Sequence, residues 1–394
     1  MSIAAVICEY NPFHNGHKYQ LDTIRKELNP DYIICLMSGD FVERGEPSIY
    51  SKELRTKWAL ENGADAVFQL PVSFATGSAD LFSEGAVTIL NKLNCVDYLC
   101  FGSECGNIDE LSKCADFLIK EGTIESEGIR ELMKKGHTFA KARALLFPDF
   151  AEILNEPNNV LALEYLSALK KTGSSIKPYT IARKGEGYED DSFDESQEYL
   201  SGTAIRKAIL DNEASKIASY VPYDFSGIVE KPLQPDDFSG ELFYALLNSK
   251  SKLANYLEMS EDLARRIEAS LYEYKDFSSF IEALKSKNYT YSRLSRALLH
   301  VMLNLEGSNT YHKETPKHLS VIKLLGFKEA SKDVLSIISG NSELEIMTKI
   351  PAIYDSLNSV TKSMVDSEVF ASALYNRAKG VCSHEYTKQI VVLK

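Results

Sequence analysis

Two short runs carry residue types suited to phosphate chemistry, His14-Asn15-Gly16-His17 and Ser201-Gly202-Thr203-Ala204-Ile205-Arg206. In the first, two imidazoles three residues apart can face one point and stabilise charge developing on a transferring phosphoryl group. The glycine lets backbone approach a phosphate closely, and a helix N-terminus there adds free N–H donors. A His-rich turn or a metal-binding pair would use the same letters, so the spacing alone leaves those readings open. In the second run, small hydroxylated residues open a helix and a cation follows, a pattern suited to gripping the β- and γ-phosphates of a nucleotide. The plain alternative is a serine N-cap with an ordinary surface arginine. Taken together the two runs read as halves of a nucleotidyl-transfer clamp, with His14, His17, Ser201, Thr203 and Arg206 as the catalytic candidates.

Elements able to present such runs can be read from the hydrophobic pattern. Ile3–Cys8 is a short buried strand that passes through Asn11-Pro12-Phe13 into a helix over His17–Leu28. Tyr32–Met37, Ala66–Leu70 and Asp97–Phe101 are further strands, with helices at Lys52–Asn62 and Ala79–Leu93 between them. This alternation predicts an α/β fold with a Rossmann-like doubly wound parallel sheet, whose ligands sit at the carboxyl ends of the strands. Residues 107–175 read as mostly helical, Lys177–Ala182 as a strand ending in Arg183-Lys184, and 185–198 as an acidic loop expected to be mobile. A helix through Ala204–Leu210 opens at Ser201. After about residue 230 the strand signals fade, and Gly240–Asn248, Ser260–Leu271, Asp276–Lys285, Ser292–Leu305, Leu319–Leu325 and Val334–Ile338 read as helices. The expected organisation is an ATP-binding catalytic domain over 1–230 and a mainly α-helical domain over 231–394.

Composition narrows the class. At 394 residues and 44% apolar content the chain can bury two cores. No stretch approaches the ~18 apolar residues of a membrane span, and the start has neither a basic region nor a long apolar run, so a cytoplasmic protein is expected. Seven cysteines without a CxxC pair point to reduced, buried thiols, and no structural metal is expected. A net charge of −12 argues against a protein that coats nucleic acid, while leaving room for a local basic patch.

The runs Glu9–His17, Met37-Ser38-Gly39-Asp40-Phe41, Arg44-Gly45-Glu46-Pro47, Phe101-Gly102-Ser103-Glu104 and Pro157-Asn158-Asn159 resemble the bacterial tRNA(Met) cytidine acetate ligase family. That family is built on an HxGH nucleotidyl-transferase domain, and the similarity continues through Tyr179–Arg183, Ser201–Arg206 and Tyr289–Arg293. The resemblance implies an enzyme that adenylates acetate with ATP, with Mg²⁺ as the expected companion ion. The acetyl group then passes to the wobble cytidine of elongator tRNA(Met), giving N(4)-acetylcytidine. It also implies an ATP site lined by Ile7, Cys8, Glu9, Tyr10, Asn11, Pro12, Phe13, His14, Asn15, Gly16, His17, Lys18, Tyr19 and Gln20, with Gly102, Asn158, Arg183 and Lys184 as further nucleotide contacts. Gln20 departs from the family pattern, in which many members carry a further histidine, so a third imidazole there is not essential.

Each later contact has a plainer reading beside it. Gly102 can be a turn glycine, Asn158 the cap of a helix over Val160–Lys170, and Arg183-Lys184 a solvated pair. Asp40 and Glu104, also at strand ends, are candidates to hold Mg²⁺ or the acceptor amine, and Arg44 to touch phosphate or tRNA. For RNA the best patch is Lys285–Arg296, where Lys285, Lys287, Arg293 and Arg296 interleave with Tyr289 and Tyr291 and no acid intervenes. DNA and membranes are not expected partners. Two other functions use the same parts: a cofactor adenylyltransferase acting on a small molecule, and a non-catalytic RNA-binding protein on a transferase fold.

Overall fold

The computed structural model describes residues 1–120, 127–132, 135, 137, 139–184, 199–287 and 289–394. The acidic stretch 185–198 lies outside the described residues. Strand β1 (Ile3–Cys8) is the middle of the molecule, hydrogen-bonded in parallel to β2 (Tyr32–Ser38) on one side and β6 (Tyr98–Ser103) on the other. It is buried on both faces, as the branched and small residues IAAVIC require. Ala4, Val6 and Cys8 face one layer of helices, and Ile3, Ala5 and Ile7 face the other.

Beyond β2 lies β5 (Ala66–Leu70), and beyond β6 lies β7 (Lys177–Ala182), both parallel to their neighbours. The parallel order β5-β2-β1-β6-β7 is the doubly wound arrangement that the alternation predicts. It places a change of winding direction at β1, the position where such sheets bind ligands. Helices α1 (Asn15–Glu27) and α2 (Lys52–Glu61) cover one face. On the other are α3 (Ala79–Lys92), α4 (Ile108–Lys120) and α5 (Pro157–Lys171). Between β2 and α2 a small hairpin pairs β3 (Phe41–Val42) with β4 (Glu46–Pro47).

The C-terminal half corrects two expectations. Leu319–Leu325 is not a helix: Val321–Lys328 forms β8, antiparallel to β5, with Val67 opposite Gly326. A short apolar run of this kind has the same composition in a buried strand and a buried helix, so periodicity cannot separate them. Gly326 fits because a Cβ there would stand 2.6 Å from the Val391 carbonyl oxygen. Nor is 231–394 a separate helical domain. Its residues add β8, β9 (Glu345–Met347) and β10 (Val391–Leu393) to the same sheet. Leu294, Leu298 and Leu299 of its helix Tyr291–Met302 join the core that lies under α3 and α5. The region is otherwise mainly helical, as expected.

Beneath the carboxyl ends of β1 and β2, Arg55 of α2 is completely buried. Its guanidinium donates to the carbonyls of Glu9 (2.6 Å), Ser38 (3.1 Å), Tyr50 (3.0 Å) and Gly39, and to Ser48 Oγ (3.1 Å). Those of Glu9, Ser38 and Gly39 lie where the chain leaves the two central strands, so one side chain holds both exits in place. Replacing Arg55 with Ala is expected to lower stability by about 4 kcal/mol, because each buried carbonyl left without a donor costs ~1–3 kcal/mol. Urea denaturation measures this, and a loss under about 1 kcal/mol would show that water replaces the guanidinium.

Candidate active site

The chain leaves β1 at Cys8, turns through Tyr10 at φ 49°, and enters α1 at Asn15 with His14 as the N-cap. His14 Nδ1 accepts the Gly16 N–H (3.1 Å), and His17 Nδ1 accepts the His14 N–H (3.2 Å). The two rings form a capping box made of imidazoles and stack with centroids 3.7 Å apart. Gly16 is required, since a Cβ there would lie 2.9 Å from His14 Cε1.

This arrangement fixes the protons. Because both Nδ1 atoms accept, each neutral ring carries its hydrogen on Nε2. Burial, then Arg183 and Arg206 nearby, pulls His14 down to about 3. Burial, His14 and Arg183 pull His17 well below its ordinary value. At neutral pH the motif therefore presents two uncharged Nε2–H donors.

Helix α6 (Gly202–Leu210) brings the second run to the first, across 195 residues of sequence. Ser201 is its N-cap and accepts the Ala204 N–H at 3.1 Å. Arg206 donates to the Asn11 carbonyl (2.8 Å) and to Thr203 Oγ1 (3.2 Å). A Cβ on Gly202 would lie 3.3 Å from Arg206 Nη1 and 3.9 Å from His14 Nε2, so the glycine keeps the space between the two halves open. Two histidine donors, a helix N-terminus and a guanidinium thus converge at the winding change of the sheet, which suits an anionic ligand.

The wall on the β6 side is tied together by Glu104. Its carboxylate accepts the N–H groups of Asn158 (3.1 Å) and Asn159 (2.7 Å) at the start of α5, and Asn158 Nδ2 at 2.5 Å. Asn158 Oδ1 in turn accepts from Arg183 Nη1 (3.3 Å). Asn158 is thus not a helix cap; that work falls to Glu104, whose carboxylate is engaged by these three N–H donors. Asn159, which sequence reasoning passes over, is 1% exposed and accepts the backbone N–H groups of Glu104 and Cys105. Only its place beside Asn158 could have drawn attention to it. Gly102 lets the stem of Arg183 cross the strand end, since a Cβ there would meet Arg183 Cγ at 3.3 Å. Lys184 lies over the Tyr19 ring at 4.4 Å.

Within the segment Ile7–Gln20 the side chains divide. Ile7, Cys8, Tyr10, Asn11, Pro12 and Phe13 are buried, and Tyr10 and Phe13 pack edge-on or tilted against His17. Asn11 Oδ1 accepts the Ile49 N–H (2.7 Å), and Asn15 donates to the Ser219 carbonyl (2.7 Å). Lys18 pairs with Asp22 at 2.9 Å. Glu9, His14, Gly16, His17, Tyr19 and Gln20 are half-buried and form the accessible rim.

Two further expectations are corrected. Asp40 is not available to a metal or an amine: it lies buried under Lys52 (3.0 Å) and Ser372 Oγ (2.5 Å). Burial alone would raise its pKa, but Lys52, Lys388 and the Ser372 hydroxyl hold it well below the usual range. Arg296 is not a surface cation. Its Nε meets Glu258 at 2.8 Å and its Nη1 meets Glu43 at 3.1 Å, because the helix α7 (Tyr291–Met302) packs on the hairpin at Gly45. Lys285 and Lys287 remain exposed and Arg293 half-buried, its guanidinium 5.2 Å from the Tyr289 ring. Tyr289 is buried and donates to Asp262 (3.0 Å), so it anchors the patch rather than offering a stacking face. Among the described residues no group of three or more His, Cys, Asp or Glu is placed to hold a metal ion.

Comparison with known proteins places this geometry among relatives. A family profile described as HIGH Nucleotidyl Transferase matches residues 1–389. The tRNA(Met) cytidine acetate ligase of Thermoanaerobacter sp. (strain X514) is 38% identical over 392 residues, 96% of each chain. The protein of the same name from Clostridium perfringens (strain ATCC 13124) is 36% identical over 95% of each. The crystal structure of Thermotoga maritima TmcAL without ligand superposes with a TM-score of 0.90 at 28% identity, covering all of both chains. A second form of that protein, bound with alpha-thio ATP, gives 0.88 over the same coverage.

The lowered histidine pKa values make a direct prediction. A group whose folded pKa lies below its unfolded value opposes folding once protonated. The stability tied to His14 and His17 is therefore present above about pH 6.5 and is lost as the pH falls below it. Followed by NMR of the ring protons, neither imidazole should titrate between about pH 5 and 8. A midpoint near 6.5 for either ring would contradict the buried tautomer described above.

Proposed function

The chain belongs to the HIGH nucleotidyl transferase family and to its tRNA(Met) cytidine acetate ligases, and we propose on that premise that it activates acetate with ATP and acetylates the wobble cytidine of elongator tRNA(Met). The observation that carries this reading is the meeting of the His14/His17 donors with Arg206 and the N-terminus of α6 at the winding change of the sheet. A carboxylate oxygen of acetate attacks the α-phosphorus of ATP, pyrophosphate leaves, and acetyl-adenylate stays bound. His14 and His17 donate from Nε2 to oxygens whose charge grows in the transition state. Being neutral, they do so without a pH-dependent charge of their own. Arg206, Arg183 and the free N–H groups of α6 hold the β- and γ-phosphates, with Ser201 and Thr203 shaping that turn.

The rest of the family site follows residue by residue. The half-buried rim of Ile7–Gln20, with Gly102, Asn158, Arg183 and Lys184, surrounds the nucleotide. Mg²⁺, when bound with the nucleotide, would offset phosphate charge; among the described residues no group of three or more His, Cys, Asp or Glu is placed to hold it. The tRNA rests in part on Lys285, Lys287 and Arg293. No helix among the described residues is long and apolar enough to cross a membrane, which accords with a cytoplasmic site of action.

The test is labelled pyrophosphate–ATP exchange with acetate, with and without tRNA. Exchange without tRNA is expected, and release of ADP and phosphate instead of AMP and pyrophosphate would refute the mechanism. His14→Ala and His17→Ala should each slow exchange about 100- to 1,000-fold while leaving the fold intact. For the tRNA, Lys287→Glu with Arg293→Glu should weaken binding and flatten its salt dependence by about one unit of slope per lost contact or slightly less. Unchanged affinity across a salt series would show that the acceptor docks elsewhere.

A further inference from the structure

The acyl-transfer step needs a group to take a proton, and the imidazoles cannot supply it. With both Nδ1 atoms occupied as acceptors, His14 and His17 carry their hydrogens on Nε2 and can only donate there. Three acidic residues stand at the carboxyl ends of β1, β2 and β6, namely Glu9, Asp40 and Glu104, and a fourth, Glu43, lies in the adjoining β3–β4 hairpin. Two of them are ion-paired with a cation, Asp40 with Lys52 in a fully buried pair and Glu43 through Oε1 with Arg296, and in Glu104 both oxygens accept N–H donors at the start of α5.

Glu9 differs from these. Its carbonyl is held by Arg55 at 2.6 Å, and its Oε1 accepts the Glu43 N–H at 2.7 Å. The residue is therefore fixed at both its backbone and its side chain, while Oε2 has no hydrogen-bond partner among the described residues. The side chain is half-buried in the turn that leads from β1 to the histidines, on the rim of the site. The charged and titratable groups facing it are Arg206 from α6, Arg44 and Glu43 from the hairpin, Arg55 from α2 and Tyr165 from α5.

We propose that Glu9 Oε2 is the acceptor that receives the proton of the cytidine amine during acetyl transfer. This rests on the ligase reading and names the residue that completes its second half. The amine lone pair attacks the acetyl carbonyl carbon of acetyl-adenylate and a C–N bond forms. The bond from that carbon to the phosphate oxygen breaks, and AMP leaves with its electron pair. The N–H proton moves to Glu9, which later releases it to water. A carboxylate is also the side chain that suits the exocyclic N4 donor of cytosine, so the same oxygen helps to recognise the base. Burial raises the Glu9 carboxyl above its ordinary range, with the Glu43 N–H, Arg206, Arg44 and Arg55 opposing, which brings its basicity nearer to neutral pH.

The experiment supplies acetyl-adenylate directly to the enzyme with tRNA and follows single-turnover transfer between about pH 5 and 8.5, which bypasses the first half-reaction. The wild type should lose rate on the acid side. Glu9→Gln should transfer about 100-fold more slowly or worse and lose that acid limb, with acetyl-adenylate affinity changed far less than the rate. Should Glu9→Gln not fold, Glu9→Asp carries the test, with an intermediate rate and a displaced acid limb expected and an unaltered profile overturning the proposal. Transfer by Glu9→Gln within about tenfold of wild type overturns it. So does a loss shared equally by transfer and by acetate-dependent pyrophosphate exchange, because Glu9 would then only shape the turn. If the wild-type enzyme itself cannot transfer from acetyl-adenylate, the ligase reading falls, and the proposal falls with it.

Discussion

The structure depends on a buried guanidinium. Parallel strands end in backbone carbonyls that no further strand pairs, and at β1 and β2 those carbonyls must turn sharply to leave room for a ligand. Arg55 satisfies three of them, those of Glu9, Ser38 and Gly39, together with the Tyr50 carbonyl before α2 and a serine hydroxyl. A fully buried cation is costly unless its donors are used, and here every nitrogen of the fork is engaged. Burial pulls its pKa below the ordinary value, and Tyr375, Asp40 and Glu9 nearby oppose that pull. The functional turn from Glu9 to His17 therefore stands on a charged support held rigid by the turns it supports.

On that support the site separates charge. One side gathers donors: Arg206, the α6 N-terminus and two histidines kept neutral by burial and by the nearby Arg183 guanidinium. Neutrality serves the chemistry, because an imidazole that titrated near pH 7 would add a positive charge beside two guanidiniums and lose its fixed tautomer. The other side holds carboxylates, and most of them are neutralised by a cation or taken up by backbone N–H groups. Such an arrangement can accept a polyanion at one edge and an amine at the other.

The C-terminal half stabilises this site from outside. Its long helix α8 (Ser359–Ala378) sends Ser372 to Asp40 and Lys52, Tyr375 to the Ser48 carbonyl (2.8 Å), and Glu368 to Gln69 and the Val72 N–H. Lys52, with no exposed surface, is also paired with Glu385 at 2.9 Å. Removing one partner of such a buried network leaves an uncompensated charge, so the segment after residue 320 is bound into the fold of the first hundred residues. The same half fixes the hairpin at Gly45, where Ser295 Oγ donates to its carbonyl at 2.8 Å.

The sequence by itself determined the alternation of strands and helices through β7, the place of the HNGH turn after the first strand, and the opening of a helix at Ser201. These are local matters: side-chain period, glycine and capping residues act over a few positions, and a short stretch of chain specifies them. Tertiary structure alone decided which cations face a ligand and which face a carboxylate. Arg296 and Arg293 stand three residues apart on one helix with similar neighbours, yet one is spent on Glu43 and Glu258 and the other stays near the surface. Arg55 and Lys52 carry no motif, because most of the partners that bury them come from other segments of the chain. The strand at Val321–Lys328 was hidden for the same reason. Whether a short apolar run extends or coils is settled by the edge of β5 that waits for it, not by its own residues.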